Sequence, residues 1–214
     1  MAGIFKAYDI RGVYGDQLTD ESGYRLGRAF GMFLKKEYPT KETPLKVVVG
    51  RDMRESGVHL EATLRQGLAD EGIQIINVGL SSTPMMYYSV LESQADGGIV
   101  ITASHNPAEY NGFKLVKGKS IPISGETGIY EMRDLVMNDE VMQRPETSLP
   151  IVEEYRPEIM DTYVASAMSF RDQNIDIKPM TVVVDTANGM AAPLIEKFFA
   201  HFPQIRLIHL FPEL

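Results

Sequence analysis

Ser104, His105 and Asn106 stand side by side, and Lys114 follows ten residues after the serine. A hydroxyl beside an imidazole raises the question of a nucleophile and its base, yet neighbours in an extended chain point to opposite sides, so adjacency alone does not pair them. A nucleophile elbow of the form GxSxG is also missing, because the serine sits in Thr102-Ala103-Ser104-His105-Asn106. What the stretch does offer is a serine just past the apolar, β-branched run Ile99 to Thr102, on a loop at the C-terminal end of an expected parallel strand, where open α/β sheets bind ligands. Asn106, Asn111, Gly112 and Lys114 surround it in sequence. The residues alone leave two readings open: a polar turn in which Asn and Ser cap their own backbone, or a ligand loop.

Other chemistry is excluded by spacing. In NGFKLVKGKS, residues 111–120, Gly112 and Gly118 enclose five residues where a P-loop needs four, and Ile121-Pro122-Ile123 stands where its helix must start. No GxGxxG fingerprint occurs. His59, His105, His201 and His209 show no HExxH or paired zinc spacing, and the chain has no cysteine, which removes disulfides and thiolate sites and fits a reducing cytoplasm.

The elements that must hold the serine loop follow from periodicity. Val47 to Val49, Ile73 to Val78, Ile99 to Thr102 and Thr181 to Val184 are short β-branched runs suited to buried parallel strands, with a further strand at Ile205 to Leu210. Between them, Leu60, Leu64 and Leu68 mark one face of a helix ended by Gly72, and Thr83-Pro84 reads as an N-cap and first-turn proline. A helix over about Asp20 to Glu37 carries Gly23, Gly27 and Gly31 on one face, a pattern expected where another backbone packs closely. The alternation predicts a three-layer α/β/α domain with a mostly parallel, mixed sheet over 1–150, a polar connection from Asn138 to Pro150, and an incomplete second α/β domain of similar type over 151–214. A helix from Pro157 to about Phe170 opens that second part.

Charge narrows the partners. The net charge of -8 argues against nucleic acid, so an anionic ligand requires a local basic cluster. No run approaches the about 18 apolar residues of a membrane span, which points to a cytoplasmic protein with no membrane partner.

At Thr102-Ala103-Ser104-His105-Asn106-Pro107, followed by Asn111-Gly112-Phe113-Lys114, the chain resembles the α-D-phosphohexomutase family, in particular its bacterial phosphomannomutase/phosphoglucomutase branch. Phe5 to Gly12 looks like that family's opening strand, Gly50-Arg51-Asp52 with Arg54 its second signature, and Asp185-Thr186-Ala187-Asn188-Gly189 its second-domain entry. The resemblance implies interconversion of hexose 1- and 6-phosphates through a phosphoserine and a bisphosphorylated sugar, glucose or mannose 1,6-bisphosphate, with a small sugar phosphate as partner. It implies Ser104 as the phosphoserine and a Mg²⁺ ligand through its phosphate, His105 and Lys114 as catalytic groups, and Tyr8, Arg11, Asn106 and Asn111 as substrate-binding. The family's DGDGDR-type and GExSGH-type loops do not occur in the 214 residues, so the expectation is an N-terminal portion, inactive alone and prone to self-association at an unfinished sheet. Two alternatives stay open: a non-catalytic sugar-phosphate or protein-binding module, and a phosphoglucosamine mutase or phosphopentomutase relative.

Overall fold

The β-branched runs form the centre of a sheet in the computed structural model, which describes residues 2–172 and 174–214. In chain order the elements of the first unit are β1 (Ile10–Val13), α1 (Asp20–Glu37), β2 (Lys46–Arg51), α2 (Glu55–Asp70), β3 (Gln74–Leu80), α3 (Thr83–Glu92), β4 (Gly97–Ile101), β5 (Tyr110–Lys117), β6 (Ile121–Pro122), α4 (Tyr130–Val136) and β7 (Glu153–Tyr155). Among the described residues seven strands make one sheet in the order β1-β5-β4-β2-β3-β7, with β6 on the far end of β5. The pairs β4–β2, β2–β3 and β3–β7 are parallel, and β5 runs antiparallel to β1 and β4.

Two neighbouring glycines mark the layers. A side chain on Gly97 would strike Phe30 and Leu34 of α1, whereas one on Gly98 would strike Val90 and Met86 of α3. Successive strand residues face opposite sides, so α1 and α3 cover opposite faces, as a three-layer α/β/α domain requires. The larger core joins Ile10, Val47, Val49, Ile99, Ile101 and Phe113 of the sheet to α1 and α2, whose Leu60, Leu64 and Leu68 are fully buried. Each such leucine contributes about 1.5–3 kcal/mol by leaving water. Gly72, with φ +70°, lies just past α2 in the left-handed conformation that ends it.

The glycine face of α1 does meet backbone. A Cβ on Gly27 would lie 2.3 Å from the Leu64 carbonyl oxygen, and one on Gly67 of α2 would lie 2.1 Å from that of Tyr24. Three local expectations shift. The N-cap of α3 is Ser82, whose hydroxyl accepts from the Met85 amide, so Thr83 is the first helical residue and Pro84 the second. The expected opening strand begins only at Ile10, because the Lys6 amide donates to the Asp9 carbonyl and folds residues 6–9 into a turn. The connection after α4 is irregular but strapped down: Arg25 donates to Asp139, Arg28 to the Gln143 carbonyl, and the Leu149 amide to Asp70.

That strap leads into β7, an exposed strand held by parallel pairing with β3, so the two units divide between Arg156 and Pro157 rather than at residue 150. The second unit contains α5 (Ile159–Ser169), β8 (Met180–Asp185), α6 (Ala192–Phe199) and β9 (Ile205–Leu210). β8 and β9 pair in parallel from Met180↔Ile205 to Asp185↔Leu210, and α5 and α6 are tied by Lys197 and Asp161 at 2.5 Å.

Candidate active site

The C-terminal ends of β2 and β4 hold the serine loop. β4 delivers Thr102 to the sheet edge, where its amide donates to the Gly112 carbonyl of β5 and its hydroxyl to Asp52 at 2.6 Å. Asp52 follows β2, and its own amide donates to the Ile101 carbonyl. The same Thr102 hydroxyl accepts the Ser104 amide at 2.9 Å. Ser104 is thereby fixed at φ +54°, left-handed backbone that a non-glycine residue adopts at a cost of about 1–3 kcal/mol.

Arg54 supplies the opposing grip. Its guanidinium donates to the carbonyls of Ser104 at 3.0 Å, Asn106 at 2.6 Å, Pro107 at 2.6 Å and Tyr110 at 2.9 Å. Asp52 sits 3.3 Å from Arg54 Nε and also accepts the Arg54 amide, so one carboxylate orients both the arginine and the threonine. Charge-assisted bonds of this kind contribute more than neutral ones. Behind them Arg51 donates to the Asp52 carbonyl and pairs with Glu61 at 3.0 Å. Burial pushes the Glu61 carboxyl up from its ordinary value, against the lowering effect of Arg51 and Arg65.

The left-handed backbone also corrects the expectation that Ser104 and His105 point apart: Ser104 Oγ and His105 Nδ1 lie 3.3 Å from each other, both residues exposed. Asn106 turns inward and donates to the Ala103 carbonyl at 2.7 Å. Asn111 is fully buried, donating to Ser56 Oγ and accepting the Gly112 amide, so its side chain braces the loop from beneath. Phe113 and Leu115 face the core, and the half-buried Lys114, opposite Val100, lies on the other face. Arg11 pairs with Gly112, two residues before Lys114 on the same strand, so both cations stand on that face near the serine edge. A Cβ on Gly112 would strike the Ile10 carbonyl at 2.2 Å, which makes glycine the residue that lets β1 approach. Tyr8 is 76% exposed at the tip of the 6–9 turn and joins none of these contacts.

In the sequence Asp52, Arg54 and Thr102 stand only as parts of signatures, with no role of their own, and nothing points to Ser56. The signal that could have found them is a charged Gly-Arg-Asp turn directly after a buried strand, at the same sheet edge as the serine.

The chain that carries this site is similar to known proteins. Residues 2–138 match the family described as phosphoglucomutase/phosphomannomutase, alpha/beta/alpha domain I. A phosphomannomutase of Vibrio cholerae is 39% identical over 204 residues, 95% of this chain and 42% of that protein. One of Klebsiella pneumoniae is 46% identical over 131 residues, covering 61% of this chain and 78% of that protein. The crystal structure of a phosphoglucomutase/phosphomannomutase family protein from Burkholderia thailandensis superposes over 100% of this chain and 45% of that one, with a TM-score of 0.81 and 31% identity. The chain thus spans less than half the length of most such relatives, and the match of residues 2–138 together with these identities shows that it belongs to the phosphoglucomutase/phosphomannomutase family.

Proposed function

We propose that the chain is the phosphoserine-bearing part of a cytoplasmic phosphohexomutase that interconverts hexose 1-phosphate and 6-phosphate. The observation that carries this reading is the exposed Ser104 hydroxyl, presented on a strained loop that Arg54 and Thr102 hold at the C-terminal sheet edge. In the forward half-reaction a sugar hydroxyl attacks the phosphorus of phosphorylated Ser104, the bond from phosphorus to the serine oxygen breaks, and the hydroxyl proton passes, by way of a basic group or solvent, to the departing serine oxygen. The resulting 1,6-bisphosphate turns over in the site and returns its other phosphoryl group to Ser104. Phosphoryl transfer asks little covalent chemistry of the protein and much positioning and charge compensation.

Phosphoserine carries about -1.5 to -2 charges near neutral pH. Lys114 and Arg11, on one face beside the loop, are the local cations that this anion requires in a chain of net charge -8. One such pair at about 4 Å and an effective dielectric of about 20 contributes about 4 kcal/mol before desolvation. The 3.3 Å approach of His105 Nδ1 to Ser104 Oγ supports a role for His105 in exchanging a proton with the serine oxygen or the sugar hydroxyl. Tyr8, Asn106 and Asn111 are assigned to the substrate side by resemblance. Only Tyr8 has its side chain free for direct contact, and the two asparagines act through the loop they brace.

The resemblance also implies Mg²⁺ on the serine phosphate. Among the described residues no group of three or more His, Asp or Glu side chains is arranged to hold a metal ion, and one phosphate oxygen falls short of the octahedral oxygen set Mg²⁺ takes. The described residues do not by themselves make that site, and no step above runs through it.

In the complete enzyme, Ser104→Ala lowers mutase turnover of mannose 1-phosphate or glucose 1-phosphate by several orders of magnitude; a near-normal rate removes Ser104 from the chemistry. The same coupled assay on residues 1–214 alone gives no turnover. Robust activity there overturns the reading of these residues as part of a longer catalyst.

A further inference from the structure

Gly118 and Lys119, in a segment whose spacing does not make a P-loop, line a cavity of about 680 Å³ at the opposite end of the sheet from Ser104. Its walls come from the C-terminal ends of α1 and α3, the Ala95-Asp96 turn into β4, and the segment after β5. β4 runs from this cavity to the serine loop, seven residues from Gly97 to Ala103, or about 20 Å at about 3.3 Å per residue. A ligand here cannot touch the phosphoryl group.

Three features suit the cavity to binding. The volume falls in the range of about 300–1,000 Å³ typical of small-molecule sites. The floor and rim are apolar, with Val90 and Ala95 buried and Leu91 and Ile121 exposed at 55% and 51%. Backbone strain also gathers here: among the described residues seven non-glycine residues have clearly positive φ, and Gln94, Lys119 and Ser120 are three of them, at +51°, +61° and +55°. Strained backbone concentrates at functional sites, as Ser104 itself illustrates.

The charges decide what would bind. Glu37 is neutralised by Lys117 at 2.7 Å, and Asp96 by Lys41 at 2.6 Å and by the Lys46 amide. Tyr38 already accepts the Gly118 amide through its hydroxyl. Lys119, exposed on the rim, is the cavity's charge that these pairs leave uncompensated. We propose that this cavity is a second binding site, separate from the phosphoserine edge, for a small organic anion with an apolar body: the body lies on Val90, Leu91 and Ile121, and the anionic group meets Lys119.

The test is amide chemical-shift mapping of the whole 214-residue chain titrated with 8-anilinonaphthalene-1-sulfonate, an apolar ring system bearing one anionic group. Saturable shifts at residues 94–96 and 117–121 are expected. Lys119→Gly, which keeps the left-handed backbone and removes the ammonium, weakens them about fivefold, and Leu91→Glu, at an exposed position, abolishes them. Shifts confined to other residues, or none that saturate, overturn the proposal. So does equal binding of glucose 1-phosphate at these residues, since a polar body would then suffice.

Discussion

Ser104 and Arg54 make a reciprocal pair, one strained and exposed, the other satisfied at every donor the loop can reach. Four loop carbonyls depend on the Arg54 guanidinium, and its removal leaves them without that partner and Asp52 without its cation. Arg54→Ala is therefore expected to lower stability by about 1–3 kcal/mol and to accelerate hydrogen exchange of the 104–110 amides. Urea unfolding with exchange measured by mass spectrometry checks this, and unchanged exchange would deny Arg54 its clamping role. A second residue prediction concerns Tyr24, 1% exposed, whose hydroxyl donates to Asp70 at 2.7 Å. Burial first, then that bond and the carboxylate charge, push its phenol up to about 12, as burial and Asp20 do for Tyr14. Because the folded state favours the neutral phenols, their contribution to stability is complete below pH about 10 and is lost as pH rises through about 12. Burial also raises the Tyr87 phenol, so absorbance titration of phenolate is expected to show Tyr14, Tyr24 and Tyr87 late, with one late tyrosine fewer in Tyr24→Phe; if that substitution leaves the late phase unchanged, the buried bond is absent.

At the scale of elements, the crossing of α1 and α2 is where helix propensity and packing oppose each other. Alanine is better than glycine in a helix interior by about 1 kcal/mol, but a Cβ at Gly27 would collide with the Leu64 carbonyl and the Leu68 amide. Backbone cannot yield as a side chain can, so Gly27→Ala is expected to destabilise by about 2 kcal/mol net. A neutral or stabilising result in chemical denaturation contradicts the close crossing. These elements were largely legible in the sequence, because β-branched runs and leucines at helical spacing answer to a single local cause. β7 was not: Glu153, Glu154 and Tyr155 are polar and exposed, and only main-chain pairing with β3 makes them a strand. The 6–9 turn was missed for a related reason, since the pairing of Phe5 with Ile10 outweighs the extended look of the residues between. Likewise, the meeting of Ser104 with His105 depends on one left-handed residue, and Arg54 reaches the loop across 50 positions. Neither follows from spacing along the chain.

At the scale of the molecule, each unit has its own balance of burial. The first encloses a continuous core, whereas the second's β8 and β9 alternate with partly exposed residues, including Val183 at 58% and Ile208 at 36%. A two-stranded sheet with such faces and open edges is marginal by itself. The isolated 214-residue chain is accordingly expected to self-associate with rising concentration in light scattering, and a clean monomer at high concentration would contradict this. The proposed reaction requires Ser104 to carry the phosphoryl group. The most direct measurement exposes the complete enzyme to glucose 1,6-bisphosphate labelled in its phosphates and maps the label by peptide mass spectrometry. One label per chain is expected, on Ser104, discharged when glucose 1-phosphate is added; label on another residue, or on none, rules out Ser104 as the phosphoryl carrier.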